Sequence, residues 1–405
     1  MSRLAAQFCH TEQHVAFGTC IIEGEVDAQG AQKDFRLEEC NIHKTCNLSM
    51  VDADVLFLQA SEFSGDVKMA EVRANHLNAE NSEFATSPII GPVTAETADL
   101  SGAQFKRRVH LDLTASRLNL NGCSFHGGGR VECSKAEIDL TGLVVAGPLL
   151  ITGSDGASVK AIENADCGHL SLSSLDLSTC RFYGSHDLQA IVLESTISLS
   201  PAPGRMRSKR RCIADEIAWR AENSRWRSKD WSKLLQSRES SSGSSWGRRP
   251  PPPPTPSRAL VPAQIAGIYR SLRTSVEAQS DEPGACDFYY GEMEMRRRDH
   301  TKSAWERGLV WLYWLVSGYS LRGFRSLLWL LCSLLVGSVL IDEFGLRGSH
   351  SLPISIVTAA QSIVPGLSVS ARLTDNGSAF EIILRIVGPV LLALTALALR
   401  NRIRR

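Results

Sequence analysis

Apolar residues recur every five positions over much of the first two hundred residues, and the pattern renews itself every twenty. Three stretches align at that spacing: Ala98-Asp99-Leu100-Ser101-Gly102, Leu118-Asn119-Leu120-Asn121-Gly122 and Ile138-Asp139-Leu140-Thr141-Gly142. Five residues past each central leucine stands another apolar residue, Phe105, Phe125 and Val145. The pattern returns out of phase at Leu175-Asp176-Leu177-Ser178-Thr179, followed by Phe182. Earlier, Leu48, Ala53, Leu58 and Phe63 keep the five-residue step, with Cys46, Val51, Leu56 and Ser61 two residues ahead of each. Such a period fits neither an α-helix nor a flat strand. Stacked coils satisfy it: the central Leu or Phe and the residue two before it face inward and form ladders. Asp and Asn suit the corners, because their side chains bond nearby backbone.

The Ala-(Asp/Asn)-Leu-x-x pattern of these stretches resembles the pentapeptide-repeat family. The resemblance implies a right-handed, four-sided β-helix in which each side is one pentapeptide. The match is strongest over 94–126. Residues 1–45 and 146–168 break the phase at stretches such as Ala146-Gly147-Pro148 and Gly153-Ser154-Asp155-Gly156. The expectation for residues 1–200 is therefore an irregular quadrilateral β-solenoid, with a conventional β-sandwich as the alternative.

Residues 201–258 change character. The basic run Arg205–Arg211 precedes Trp219, Trp226 and Trp231 among charges, then come Ser240–Ser245 and Pro250–Pro254. This reads as a basic, Ser/Pro-rich linker, largely disordered, with the proline tract a stiff spacer. Basic residues among tryptophans suit anionic lipid or nucleic acid; beside membrane segments, lipid is the better fit and nucleic acid the poorer.

From Pro262 the period becomes helical, with Ile265, Ile268, Tyr269, Leu272 and Val276 on one face. Asp281 and Pro283 mark a second helix start. Trp305–Tyr319 is dense in aromatics, which favour the headgroup level of a bilayer, so residues 259–319 read as juxtamembrane and interfacial helices. Tyr269–Arg273, Phe288–Glu294 and Trp311–Tyr319 resemble the juxtamembrane region of actinobacterial-type pentapeptide-repeat membrane proteins. That resemblance implies membrane association rather than a reaction.

Residues 320–405 carry two apolar runs. Ser326–Ile341 contains no charge and, extended back to Leu321, reaches a spanning length. Ala379–Leu399 is the second, its Glu381 and Arg385 four residues apart on one helix face. A buried soluble helix is the alternative for either run alone. Between them, 352–367 is uncharged, with Pro353 at a helix start and Pro365-Gly366 at a stop. The order span, short helix, span resembles the two-helix pore module of potassium-channel-like proteins. It implies a re-entrant pore loop around Thr358, Ser362, Pro365 and Gly366. The family's Thr-Val-Gly-Tyr-Gly filter is absent, which removes any sequence case for potassium selectivity. A helix resting on the outer membrane face is the other reading of 352–367.

Charge sharpens this picture. Residues 1–200 hold 14 Lys+Arg and 26 Asp+Glu, and the remainder 30 and 17. The acidic part suits a soluble domain, the basic part a phosphate-bearing surface. Arg296, Arg297, Arg298, Arg322 and Arg325 precede the first span and are candidate lipid-headgroup contacts. Arg400, Arg402, Arg404 and Arg405 follow the second, whereas 342–380 contains only Arg347 and Arg372. The positive-inside rule then puts both termini in the cytoplasm of a multi-pass cell-membrane protein. The eleven cysteines show neither a CxxC pair nor zinc spacing and read as reduced thiols, some of them small core residues.

No phosphate-binding loop, nucleophile elbow, dinucleotide fingerprint or paired-His motif is present. The expectation is a protein without catalytic activity, cofactor or metal. It would act as a cytoplasmic scaffold or interaction surface held on the bilayer, with an unidentified cytoplasmic protein and a second copy of itself as partners. The alternative is a subunit of an oligomeric ion-channel-like pore, the solenoid serving in assembly or gating. A third reading, the DNA mimicry of some soluble pentapeptide-repeat proteins, is permitted by the acidic charge and opposed by the membrane segments and the irregular repeat.

Overall fold

The computed structural model describes residues 6–7, 15–32, 34–194, 196–202, 210–223, 231, 260–319, 323–345, 352–364 and 374–403. Two units are distinguished, Met1–Gly291 and Glu292–Arg405. The first is built on a β-solenoid of about eight turns over residues 16–193. Its described strands pair in parallel, coil upon coil, and the one antiparallel ribbon among them joins Ser200–Pro201 to Arg211–Cys212 beyond the solenoid.

The five-residue step accounts for about half of each coil. Ala98, Leu100, Ala103 and Phe105 are all buried, as are Leu118, Leu120, Cys123 and Phe125 one coil on. The phenylalanines stack: Phe63 on Phe84 and Phe84 on Phe105 at 5.1 Å between ring centroids, and Phe105 on Phe125 at 4.9 Å. The other half of the coil is ordinary extended chain. Val109–Asn119 is an 11-residue strand in which Val109, Leu111, Leu113 and Ala115 face inward at alternate positions. A period of two shows only where the two faces differ in polarity, as His110, Asp112 and Thr114 do from the inward residues between them.

Corners are set by two devices. Asp99 Oδ1 accepts the Ser101 N–H at 2.9 Å and the Asn119 side-chain amide at 3.0 Å, so a turn and a coil-to-coil bond share one carboxylate. Gly102, Gly122 and Gly142, the last residues of the aligned motifs, have φ of +70°, +67° and +67°. They belong to a column of left-handed residues that continues through Thr19, Glu39, Ala60 and Asn81 on one side and Asn164 and Gly184 on the other.

The stretch 146–168, which breaks phase in sequence, does not interrupt the solenoid. Leu149–Ser154 pairs residue for residue with Gly129–Ser134. Coil length varies instead, as the pairs Phe105↔Phe125, Phe63↔Phe84 and Asp139↔Ala161 show; in the last of these coils one extra residue enters at the corner between Ser134↔Ser154 and Glu137↔Ser158, and another at the irregularity between Ile138 and Asp139.

Three helices belong to the last coils. α1 (Ala214–Asn223) lies within 201–258, so part of the segment read as linker is folded; most of the rest lies outside the described residues. α2 (Pro262–Ala278) starts at a proline and buries Ile265, Ile268, Tyr269, Leu272 and Val276, the face expected from the spacing. Ser275 Oγ of α2 donates to the Ile191 carbonyl at 2.5 Å and Gln279 to the same oxygen at 3.3 Å. α3 (Glu282–Arg298) is capped by Asp281, which accepts the Gly284 N–H at 3.1 Å.

In the second unit, α4 (Ala304–Ser317) is capped by Ser303 and ends at Gly318, φ 55°. α5 (Gly323–Leu340) runs into a π-turn at Ile341–Gly345, followed by α6 (Leu352–Ile363) and α7 (Asp375–Ile403). α5, α6 and α7 meet around Ile341, Ala359, Ile363 and Leu384. Gly337 faces Leu384 and Gly388 faces Ile363, and any Cβ at Gly388 would come within 2.7 Å of the Ile363 Cα. Small residues thus let these helices approach closely.

Candidate functional site

One flank of the solenoid carries a shallow groove. Asp52-Ala53-Asp54, Arg73-Ala74-Asn75 and Thr94-Ala95-Glu96 stand in register on three successive coils. The alanines form a low floor between taller polar side chains, and the hollow above them has a volume of about 510 Å³. A second hollow of about 370 Å³ adjoins it, shares Asp52, Arg73 and Thr94, and adds Glu71 and Pro92. Asn75 donates to Asp54 at 2.7 Å, fixing one wall. Rows of carboxylate, amide and hydroxyl groups at the spacing of adjacent strands can bond an extended chain; the acidic side chains outnumber Arg73 and favour a basic one. Sequence reading passed over this flank. The available signal was Ala53, Ala74, Ala95 and Ala115 in register where other columns carry large residues.

A buried ionic cluster lies where the helices meet the last coils. Glu216 is fully buried and accepts from Arg220 Nε and from the Tyr269 hydroxyl, each at 2.5 Å, and from Arg210. Tyr269 in turn accepts the Ile213 N–H at 3.1 Å. Burial alone would raise the Glu216 carboxyl, but the two guanidiniums and the hydrogen bonds outweigh it and hold the pKa at about 2. Its neighbour Asp215 accepts the Phe182 N–H at 3.0 Å, while its other oxygen, Oδ1, is buried without a partner. Burial there wins over that bond and pushes the carboxyl up to about 6. Burial likewise raises the Cys212 thiol to about 12. The Tyr269 ring packs on Phe288 at 6.1 Å and against Gly291, where a Cβ would come within 2.6 Å of it. Arg273 lies 5.4 Å over the Tyr289 ring. Of the segments singled out in the sequence for a shared resemblance, Tyr269–Arg273 is therefore packed on the first residues of Phe288–Glu294. The chemistry of this cluster, a buried carboxylate gripped by two guanidiniums and a phenol, is that of a clasp.

The apolar helices supply the remaining candidates. Phe324–Phe344 and Gly377–Arg400 are long and apolar enough to cross a bilayer, and only 22% and 28% of their most apolar windows is buried. Leu335, Val336, Val339, Ile382, Ile383 and Ile386 turn outward, which suits lipid and is costly in water. Thr358 and Ser362 are buried inside the hairpin, and their hydroxyls donate to the Ile354 and Thr358 carbonyls of α6, both at 2.8 Å. Pro365 and Gly366 lie outside the described residues, as does Arg322. Glu381 and Arg385 pair at 2.8 Å, with the Arg385 side chain half exposed among the isoleucines.

The remaining headgroup candidates are engaged within the chain. Arg296 pairs with the buried Glu292 at 2.6 Å, and Arg297 and Arg298 reach Glu294 at 3.0 and 3.9 Å. Arg297 and Arg325 both lie over the Trp314 ring, at 4.4 and 5.0 Å. Arg296 and Arg298 keep about a third of their side-chain surface outward. The four-residue spacings Glu292–Arg296 and Glu294–Arg298 were the sequence signal for this network.

Among the described residues, no group of three or more His, Cys, Asp or Glu is placed to hold a metal ion. Comparison with protein-family models, with curated proteins and with solved structures finds no match to this chain.

Proposed function

We propose that this chain is a membrane-anchored repeat protein whose solenoid works as a cytoplasmic interaction scaffold, by binding rather than by covalent chemistry. The observation that carries this is the outward-facing apolar surface of two spanning-length helices joined in one chain to a polar, grooved solenoid. Lipid is the partner of the helices, and an unidentified cytoplasmic protein presenting an extended basic segment is the partner of the groove. Both termini lie in the cytoplasm, on the distribution of arginines around the spans. Alkaline carbonate extraction of membranes from cells expressing the full chain tests the anchor. Retention in the pellet, with protease reaching the solenoid only from the cytoplasmic side, supports it; release into the supernatant overturns it.

A second reading, a subunit of an oligomeric pore, is favoured by α6 and Arg385. α6 seats between the two long helices and is tied to the π-turn by Ser355, which donates to Asp342 at 2.8 Å. Pro389 has no N–H to give the Arg385 carbonyl four residues earlier, so a half-exposed charged side chain and a carbonyl without its usual helical donor coincide on α7. A second copy could satisfy both. Ion flux through proteoliposomes holding the full chain, abolished by Arg385→Leu, would make this the better reading.

A further inference from the structure

The first coils of the solenoid carry a pair of facing cysteines, Cys20 and Cys40. Cys20 and Cys40 occupy the same position on successive coils, next to the paired residues Ile21↔Asn41. The Asn41 N–H bonds the Cys20 carbonyl at 2.9 Å, so the two backbones run at ordinary strand spacing there. Their sulfurs are 3.4 Å apart. Parallel neighbours about 4.8 Å apart fall inside the Cα separation of about 4.4–6.8 Å that a disulfide accepts. Cys40 is buried and Cys20 is partly exposed. The Cys40 thiol also points to the Phe17 and Glu38 carbonyls, at 3.5 and 3.3 Å, which holds its sulfur on the side facing Cys20. The next residue in the column is Ser61, whose Oγ takes the Cys40 N–H at 3.2 Å, so the column offers one thiol pair and then stops.

We propose that Cys20 and Cys40 form a redox-modified site, a dithiol that a small-molecule disulfide such as oxidised glutathione converts into a covalent staple between adjacent coils. Cys20, the accessible thiol, attacks as its thiolate. A bond forms between Cys20 Sγ and one glutathione sulfur, the glutathione disulfide bond breaks, and one glutathione leaves with the electron pair and takes a proton. Cys40 then gives up its proton and attacks Cys20 Sγ, expelling the second glutathione. Two protein thiols are oxidised and one glutathione disulfide is reduced to two thiols, so atoms and electrons balance. Burial and the neighbouring Cys20 push the Cys40 thiol up to about 11, which fits the resolving rather than the attacking role. In a reducing compartment such a staple is transient and responsive rather than permanent. The remaining described solenoid cysteines, Cys46, Cys123, Cys133, Cys167 and Cys180, are buried, which shields them from the same reagent.

The test uses the full chain in detergent, fully reduced and then exposed to oxidised glutathione. Free thiols are alkylated, and tryptic peptides are mapped by tandem mass spectrometry without reduction. The expected result is a linked pair of peptides 4–33 and 37–44, with the bond assigned to Cys20 and Cys40 and the loss of two free thiols. Cys40→Ser should accumulate Cys20 as a stable mixed disulfide with glutathione. Cys20→Ser should leave Cys40 unmodified. Wild-type protein that carries glutathione on Cys20 without linking to Cys40 overturns the proposal. So does a Cys20 that stays reduced while the half-buried Cys286 is modified. Because the wild-type map decides by itself, a variant that fails to fold does not protect the idea.

Discussion

The Tyr269 hydroxyl and the Glu216 carboxylate, 53 residues apart in the chain, meet at 2.5 Å inside the protein. That bond joins α2 to α1, and through the Ile213 N–H it also holds the backbone that leads out of the short antiparallel ribbon. Tyr269→Phe removes the hydroxyl and leaves both partners short of a bond. The expected loss is about 2–3 kcal/mol, since a hydrogen bond to a charged group is worth about 1.5–3. Glu216→Gln is more severe, at roughly 3–5 kcal/mol, because two buried guanidiniums lose their counter-charge. Denaturant unfolding of the detergent-solubilised chain, followed by circular dichroism in the strand region, would measure both. Equal and negligible effects would mean that the helices do not hold the last coils.

The two carboxyls of α1 make stability depend on pH in opposite senses. Glu216 is lowered from 4.5 to about 2, so its stabilisation is present above its unfolded value and is lost as pH falls through that window. Asp215 is raised from 3.8 to about 6, so the folded state holds its proton more tightly and stability falls as pH rises through that window. Their joint contribution peaks near about pH 4. Asp215→Asn should abolish the decline on the alkaline side, worth on the order of 3 kcal/mol for a shift of about two units. Melting temperatures of both proteins across that range would show it; parallel curves would rule Asp215 out as the cause.

Phe105 lies in the middle of the phenylalanine stack, with Phe84 and Phe125 on either side. Phe105→Ala opens a cavity that rigid coils cannot close, for a cost of about 3–5 kcal/mol. Phe105→Leu keeps most of the volume and should cost less than half as much. Hydrogen exchange should show the loss over the neighbouring coils first. A loss of protection confined to α2 would contradict this placement.

Trp314 carries two guanidiniums, and its loss should be felt at both. Trp314→Leu removes the face that Arg297 and Arg325 share and leaves them to their ion pairs and carbonyl contacts. Each contact is worth about 0.5–1 kcal/mol or more. Trypsin should then cut after Arg296–Arg298 several times faster than in the wild type. An unchanged cutting rate would assign the protection of that segment to Glu292 and Glu294 alone.

The solenoid was legible because Leu100, Phe105, Leu120 and Phe125 repeat at a spacing that only stacked coils can use. Its edges were not. Leu149–Ser154 continues the coil although glycines around it hide the phase, because extra residues can leave through a corner without disturbing the paired strands. The membrane-length helices were legible to within a few residues, since a long uncharged run has few other uses. The groove was not: alanines at 53, 74 and 95 look like weak repeat positions until the register places them side by side. The clasp around Glu216 was equally hidden. Its arginines come from the segment that reads as a basic linker, and nothing local to Arg210 or Arg220 announces a shared buried carboxylate.

The column of left-handed corners grades the solenoid along its length. Gly102, Gly122 and Gly142 take that conformation freely, whereas Thr19, Glu39, Ala60 and Asn81 take it against their own Cβ atoms, a penalty of about 1–2 kcal/mol each for an ordinary residue. At this corner the central coils are thus the relaxed ones, and winding should begin among them and spread outward, as in other one-dimensional stacks. The coils of Thr19 and Glu39 would be last to wind and first to fray. Cys20 and Cys40 directly follow those two residues, so the proposed staple would close the described coils that most readily unravel.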